Sequence, residues 1–395
     1  MASTFTVHTL GSVCTFVGGG TPSRQKPEYF LGGIPWATVK DFKRFLITDT
    51  EDHITEEAIA DSATNLVEQG TVLLVSRVGL GKVAIAGCQL AINQDIKALT
   101  PNNDVMPEYL FWFLLSKASD IVRMGAGATV QGITLNDIKA LQIPVPPLPE
   151  QRRIVDLLSR AEGIVRLRRE AEKKAAELIP ALFLDMFGDP ATNPKGWANT
   201  TFGTFGESRL GKMLDKQKQS DDYQRPYLRN VNVQWDRIDT HDLLTMDFRP
   251  EEQNKFLVRS GDVLICEGGE IGRAAIWHGH ITECFYQKAL HKLTPDLSLV
   301  RPDFVVWLLW HLANTGALLG SSTHATIAHL TGVQLKGLNV ICPPIELQSE
   351  FENRVDSCHS IQSQQSAATA KAQATFAALL AGAFSAPQIN LTDNT

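Results

Sequence analysis

The stretch PPLPEQRRIVDLLSRAEGIVRLRREAEKKAAELIPALFLDMFG, Pro146 to Gly188, is the part of the chain on which the rest is organised. Two prolines lead it, and Glu150 and Gln151 fall in what would be its first turn, a proline-led helix start. Apolar or small residues then recur at Ile154, Leu158, Ala161, Val165, Ala175, Ile179, Leu182 and Met186. Steps of four and three are the spacing of a helix that buries one narrow seam against another helix. A second copy begins 197 residues later with PPIELQSEF at Pro343, and Phe351, Val355, Cys358, Ala372, Phe376, Leu379 and Ala383 hold the same register. Neither helix could bury its seam alone, so the simplest packing pairs them, antiparallel. Residues 151 to 186 would span about 54 Å at about 1.5 Å per residue. Pro180 removes the hydrogen bond to the Ala176 carbonyl, so a kink or a broken last turn is expected there. Arg168 and Glu172 interrupt the first seam, and Gln365 and Thr369 the second, at matched places. They are either a polar layer that pins register or residues left exposed near a splayed crossing.

A length of 395 residues leaves room for two or three domains, and 44% apolar with 20% charged residues suits packed cores rather than disorder. The formal charge of −6 carries no global basic signature for nucleic acid. Basic residues nevertheless crowd into Arg152 to Lys174, so a local cationic surface is compatible with it. The six cysteines (Cys14, Cys88, Cys266, Cys284, Cys342, Cys358) form no C-x-x-C pair and read as reduced thiols of a cytoplasmic protein. The start MASTFTV lacks a signal-peptide pattern, and no window approaches the ~18 uninterrupted apolar residues of a membrane span.

Before the first long helix, residues 5 to 17 read as a strand ending at Gly18-Gly19-Gly20. Residues 34 to 39 read as a strand demoted to an edge by Pro35, and residues 52 to 69 as a helix with Thr55 as N-cap. Two β-rich runs flank Val78-Gly79-Leu80-Gly81 as a hairpin. A strand near Ala91 to Leu99, a helix from about Pro107 to Met124 and a Gly/Thr-rich loop from Gly125 to Gly132 follow. The second half repeats the order. Gly261 to Ile265 matches Gly70 to Leu74, Gly272-Arg273 matches Gly81-Lys82, and Leu293 to Pro295 matches Leu99 to Pro101. Pro302-Asp303-Phe304 with Trp307 matches Pro107-Glu108-Tyr109 with Trp112, and Ala325 to Ile327 matches Ala128 to Val130. The expected fold is α+β: two similar α/β domains, separated and joined by two long helices forming an antiparallel coiled coil, with an internal pseudo-twofold repeat. The segments are residues 1–146 and 190–343 for the domains, 147–189 and 344–386 for the helices, and 387–395 for a C-terminal tail.

Several stretches together resemble the specificity subunit of type I restriction-modification enzymes. They are Gly19-Gly20-Thr21-Pro22, Ile34-Pro35-Trp36, Ser76-Arg77 with Gly81-Lys82, the Leu135 to Gln151 run, and Met186-Phe187-Gly188-Asp189-Pro190 followed by Asn193 to Trp197. The resemblance covers nearly the whole chain. It implies two target-recognition domains, each reading one half of a split double-stranded DNA target, with the helices setting their separation. It implies modification subunits, expected as two, that bind S-adenosylmethionine and methylate adenine. It also implies restriction subunits that act as ATP- and magnesium-dependent motor nucleases, leaving no cofactor and no metal for this chain. The second helix departs from the pattern, since it starts IELQSEF and carries only Arg354 and Lys371 as basic residues.

The chain itself reads as non-catalytic. The Pro-Pro pairs lack the flanking residues of a D-P-P-Y type motif, and Val78 to Lys82 lacks phosphate-loop spacing and joins two strands. His278, His280, His324 and His329 have no metal-ligand spacing. Binding duplex DNA needs cations for phosphates and polar side chains for base edges. In the first domain the candidates are Thr21, Ser23, Arg24, Lys26, Lys40, Arg77, Lys82, Thr129 and Gln131. In the second they are Arg209, Lys212, Lys216, Lys218, Arg229, Asn230, Arg273, Thr323, His324 and Thr326. On the first helix, Arg152, Arg153, Arg166, Arg168 and Arg169 could contact phosphates or acidic faces of a modification subunit, and docking is the favoured role. Two other readings stay open: a stand-alone DNA methyltransferase or nuclease, and an assembly scaffold that no longer reads DNA.

Overall fold

The computed structural model describes residues 5–125, 132–214, 220, 222–279, 281–319 and 329–385. The chain divides into two compact units, residues 1–169 with 368–395 and residues 170–367. Among the described residues, no helix is long and apolar enough to cross a membrane.

The first unit contains β1 (Thr6–Thr9), α1 (Leu10–Val13), β2 (Cys14–Gly18), β3 (Ile34–Ala37), β4 (Leu46–Ile47), β5 (His53–Ile54), α2 (Glu56–Ala60), β6 (Asn65–Val67), β7 (Val72–Val75), β8 (Val83–Ala86), β9 (Leu90–Ile92), β10 (Ile96–Pro101), α3 (Pro107–Ser116), α4 (Ala118–Gly125), α5 (Leu135–Ala140), β11 (Gln142–Val145) and the start of α6 (Leu148–Ala176). Its main sheet runs β2-β10-β7-β8-β4. The apolar run of β7 is buried throughout, as a strand with core on both faces requires. Val72 and Leu74 join the cluster of α3, while Leu73 joins Ala84, Ala86, Ile96 and Ala98 on the other face.

Several expectations need correction. The single strand over 5–17 is interrupted by α1, because Leu10 and Val13, three apart, turn into the core. The helix over 52–69 is five residues of α2 between two strands. Thr55 does cap it, accepting from the Ala58 amide at 3.2 Å, but the Ser62 hydroxyl bonds the Ala58 carbonyl at 2.6 Å. The chain then leaves to pair Asn65–Val67 with β9. Pro35 does not make β3 an edge, since its sheet runs β5-β3-β9-β6. Pro35 lies opposite His53 of β5, and the ladder to β9 starts one residue on, at Trp36. The hairpin β7–β8 forms as expected, but the strand near Ala91 to Leu99 is two strands, β9 and β10, parted by a turn at Asn93–Asp95, and the helix from Pro107 breaks at Lys117 into α3 and α4.

The second unit contains the end of α6, α7 (Leu178–Phe187), β12 (Ala198–Thr201), β13 (Gly206–Leu210), β14 (Gln224–Leu228), β15 (Val233–Gln234), β16 (Arg237–Ile238), β17 (Leu244–Asp247), α8 (Pro250–Phe256), β18 (Val263–Cys266), β19 (Ala274–Ile276), β20 (Phe285–Tyr286), β21 (Leu290–Pro295), α9 (Pro302–Asn314), α10 (Gly332–Gly337), β22 (Asn339–Cys342) and the first part of α11 (Ile345–Ala383). Its sheet β13-β21-β18-β19 repeats β2-β10-β7-β8. The β12–β22 pair repeats β1–β11, and parallel β14–β20 repeats β3–β9. Even the hairpin turns match. The amides of Gly81 and Gly272 each donate to a carbonyl six residues back, Val75 and Cys266, at 3.1 Å. Both glycines sit in the left-handed region, at φ +83° and +80°. The expected internal repeat is present.

α6 ends at Ala176 and α7 begins at Leu178, so the helix breaks where Pro180 withdraws its donor. In the first unit Ile154 and Leu158 share a cluster with Phe376, Leu379, Leu380, Ala383 and Phe384. In the second, Ile179, Phe183 and Phe187 share one with Phe351 and Val355, and the Gln362 amide donates to the Ala175 carbonyl at 2.9 Å. Early α6 meets late α11 and late α6 meets early α11, so the helices run antiparallel. Of the expected seam, Ile154, Leu158, Val165, Ile179, Phe351 and Val355 are buried, and Ala161, Leu182, Cys358, Ala372, Phe376 and Leu379 half-buried. At the polar interruption Thr369 is buried, Glu172 and Gln365 are half-buried, and Arg168 is exposed.

Candidate nucleic-acid interface

In the first unit three turns converge beside the hairpin. The Gly20 amide donates to the Ile92 carbonyl at 3.0 Å, and a Cβ on Gly19 would lie 2.1 Å from the Asn93 oxygen. Glycine is what allows this approach. Thr21 consequently reaches the side chain of Gln94. The Ser76 amide donates to the Asp95 carbonyl at 2.8 Å, and the Ile133 amide to the Ser76 carbonyl at 3.0 Å. Thr21, Gln94 and Arg77 are thereby brought onto neighbouring turns, with Lys97 following at the start of β10. The Lys97 ammonium is held below its usual pKa, first by burial and then by the Arg77 charge nearby. Val39, the chain neighbour of Lys40, and the Lys82 stem both lie close to Gly79. Arg24, Lys40, Arg77 and Lys82 are exposed. Lys26 is instead engaged with the Tyr29 hydroxyl and, at 3.3 Å, with Asp61. The Ser23 hydroxyl accepts from the Gln25 amide at 3.4 Å.

Several second-unit candidates turn out to serve the fold. Lys212 donates to the Asp247 carbonyl and to Glu252, both at 2.6 Å, with its side chain only 16% exposed. Arg229 bonds the carboxylate of Asp242 at 2.8 Å. Arg273, 15% exposed, bonds Glu270 at 3.0 Å and the Asn230 carbonyl at 2.8 Å. Arg209 bonds Glu207 at 2.9 Å but stays partly exposed. So Lys82 and Arg273 occupy equivalent turns with opposite availability. Thr129, Gln131, Lys216, Lys218, Thr323, His324 and Thr326 lie outside the described residues. Sequence reading missed Gln94, Lys97 and Lys288, the last exposed on the turn equivalent to that of Gln94. Only strand register shows that this turn adjoins the hairpin. Among the described residues no His, Cys, Asp and Glu cluster is arranged to hold a metal ion.

The second domain meets α11 through an acidic cluster. His359 Nε2 lies 2.5 Å from Asp236 Oδ2, and that hydrogen bond first, then the charges of Asp236, Asp303 and Asp356, raise its pKa. Asp303 is pushed up to about 7, first by burial and then by Asp236, Glu352 and Asp356. An acid raised in the folded state costs nothing below its unfolded pKa, and its penalty builds from there as pH rises and is complete above about 7. His359, also raised, adds stability below pH 6.5 that is lost as pH rises through its folded value. Both act in one direction. The second unit is therefore expected to melt at a lower temperature at pH 8 than at pH 6, and Asp303→Asn to reduce that difference in calorimetry.

Two stretches, residues 2–177 and 194–363, match a family model described as the type I restriction modification DNA specificity domain. The chain is 36% identical over 177 residues to the specificity subunit of an Escherichia coli type I restriction enzyme, covering 43% of this chain and 44% of that one. It is 31% identical over 244 residues to a type I restriction enzyme specificity subunit of Methanocaldococcus jannaschii, covering 56% and 54%. The matched stretches span about half the length of these curated relatives. A solved chain from work on assembly and conformational transition of the type I R-M system is similar with a TM-score of 0.69 at 19% identity, over 97% of this chain and 98% of that one. The type I restriction-modification S subunit of M. genitalium is similar with a TM-score of 0.51 at 16% identity, over 98% and 97%.

Proposed function

The chain belongs to the type I restriction modification DNA specificity domain family, and from that premise we propose that it is the non-catalytic, sequence-reading subunit of a type I restriction-modification complex. Each domain would read one half of a two-part double-stranded DNA target. One observation carries this reading: the same scaffold occurs twice with different side chains on equivalent turns. Ser76 and Glu267 donate in the same way to Asp95 and Ala289, so Arg77 stands where Gly268 stands. Lys97 and His291 hold the same strand position, yet His291 is buried against the Leu330 carbonyl at 2.8 Å. A repeated frame with divergent tips suits two readers of different sequences.

Modification subunits carrying S-adenosylmethionine would dock on α6. There Arg152, Arg166 and Arg169 are exposed, and Leu157, Ile164 and Leu167 are 41–58% exposed outside the seam. Arg153 is bonded to Glu150 at 2.7 Å and is a weaker candidate. Restriction subunits with ATP and magnesium would complete the complex.

Exchanging residues 1–146 for the matching domain of another family member is expected to change one half-site and keep the other, read by methylome sequencing. Changes in both would sink the modular reading. Methyl transfer by the purified chain alone would favour the enzyme reading, and loss of any DNA preference in the assembled complex the scaffold reading. Single substitutions separate phosphate contact from folding. Lys82→Ala is expected to lower affinity and reduce the salt slope of binding by about 1, with an unchanged melting temperature. Lys212→Ala should lower stability, by about 3–5 kcal/mol at most, and the melting temperature with it, because Glu252 loses its partner in a half-buried site.

A further inference from the structure

We propose that Gln151 and Gln348 are the pins that fix each reading domain at a set angle on its spacer helix, and so make spacer length a sharp rather than a loose requirement. The proposal rests on the two-part reading above and deepens it. Both side chains are completely buried, where few uncharged amides among the described residues are, and both make the same three hydrogen bonds to backbone. The Gln151 amide oxygen accepts from the Met106 amide at 2.8 Å, and its nitrogen donates to the Asp104 carbonyl at 2.6 Å and the Pro146 carbonyl at 2.8 Å. The Gln348 oxygen accepts from the Arg301 amide at 2.9 Å, and its nitrogen donates to the Leu299 carbonyl at 3.1 Å and the Pro343 carbonyl at 2.8 Å. Met106 and Arg301 are the N-cap residues of α3 and α9, and neither caps its helix with its own side chain.

One amide thus ties together the loop ahead of the domain's main helix, the start of that helix and the entry to the spacer helix. Only glutamine combines this reach with one acceptor and two donor hydrogens. Glutamate has the shape but no donors when ionised, and methionine has the length but neither function. The lever is long compared with the pin. A domain of this size extends roughly 30 Å from such a pivot, so a tilt of about 6.5° moves its far end by roughly 3.4 Å, one base-pair step. Three buried hydrogen bonds in a fixed geometry resist that tilt.

The experiment assembles the full chain with its modification subunit and measures methylation of DNA libraries carrying the native half-sites with spacers from three base pairs shorter to three longer. The wild type is compared with Gln151→Glu, Gln348→Glu and Gln348→Met, each checked for folding by near-UV circular dichroism. Discrimination between the native spacer and spacers one base pair longer or shorter is expected to fall at least about tenfold in the variants, with base preference inside each half-site unchanged. A variant that folds and keeps wild-type spacer discrimination overturns the proposal. So does one that loses spacer and half-site selectivity together, or fails to fold as all three substitutions, since the glutamine would then only hold the domain together. If the wild-type complex itself shows no two-part target, it is the functional reading that fails, and that outcome is read before any variant.

Discussion

Removing one heptad from each long helix is expected to shorten the recognised spacer by about three base pairs while leaving both half-sites unchanged. Seven residues of helix are about 10.5 Å at about 1.5 Å per residue, and duplex DNA rises about 3.4 Å per step. The deletions have to match. Ala175 meets Gln362 across the seam, and Ile154 with Leu158 meets Phe376 to Phe384, so residue numbers on the two helices run in opposite directions. Deleting Val165–Ala171 from α6 and Ser366–Ala372 from α11 keeps steps of four and three on both sides of each cut. Deleting either segment alone sets one helix a heptad out of step with the other, and is expected to give aggregated protein. Methylome sequencing of a host carrying the double deletion decides the matter. An unchanged spacer would mean that the helices do not set it, and altered half-sites would mean that the domains were damaged. A rotation of about 20° accompanies the lost heptad, so the best spacer could differ by one step from the simple figure.

The helices, their pairing, the Pro180 break and the repeat were legible in the sequence, because a seam of four-and-three steps has few other uses and the two copies keep the same spacing. Small elements were less legible. The run from Asp52 to Gln69 has helical composition, but Ser62 turns the chain out, and β9 gives Asn65–Val67 a strand partner that local sequence does not show. The candidate interface was legible only where a loop announced itself by glycine. Lys97 sits inside a strand and reads as an ordinary exposed lysine until its register places it beside Arg77. Lys212, Arg229 and Arg273 show the opposite failure. Their carboxylate partners are 3 to 40 residues away, and sequence alone cannot tell a cation awaiting phosphate from one already satisfied. Gln151 was visible as a first-turn residue, but its burial depends on the loops before α3.

Phe183→Ala is expected to cost about 3–5 kcal/mol and to lower the melting temperature of the second unit by on the order of 10 °C. The seam pattern selects Ile179, Leu182 and Met186, yet after the break at Glu177 the helix turns a wider apolar face inward. Phe183 and Phe187 are wholly buried there. The Phe183 ring lies 4.9 Å from Phe187, 5.6 Å from Phe304, 5.7 Å from Phe351 and 4.7 Å from His311. These neighbours come from α7, α9 and α11, so the ring is the point where spacer helices and domain helix share one core. Truncation would leave a cavity between three rigid helices that cannot close on it. It would also let water reach His311, whose pKa burial now lowers and whose Nε2 lies 3.2 Å from the Pro180 carbonyl. Leu184, one residue on and 45% exposed, serves as the control, with an expected change within about 0.5 kcal/mol. In a binding assay the first half-site should survive Phe183→Ala and the second should weaken as the unit melts. Equal melting of the two variants would mean that α7 is a linker and not part of the domain's core.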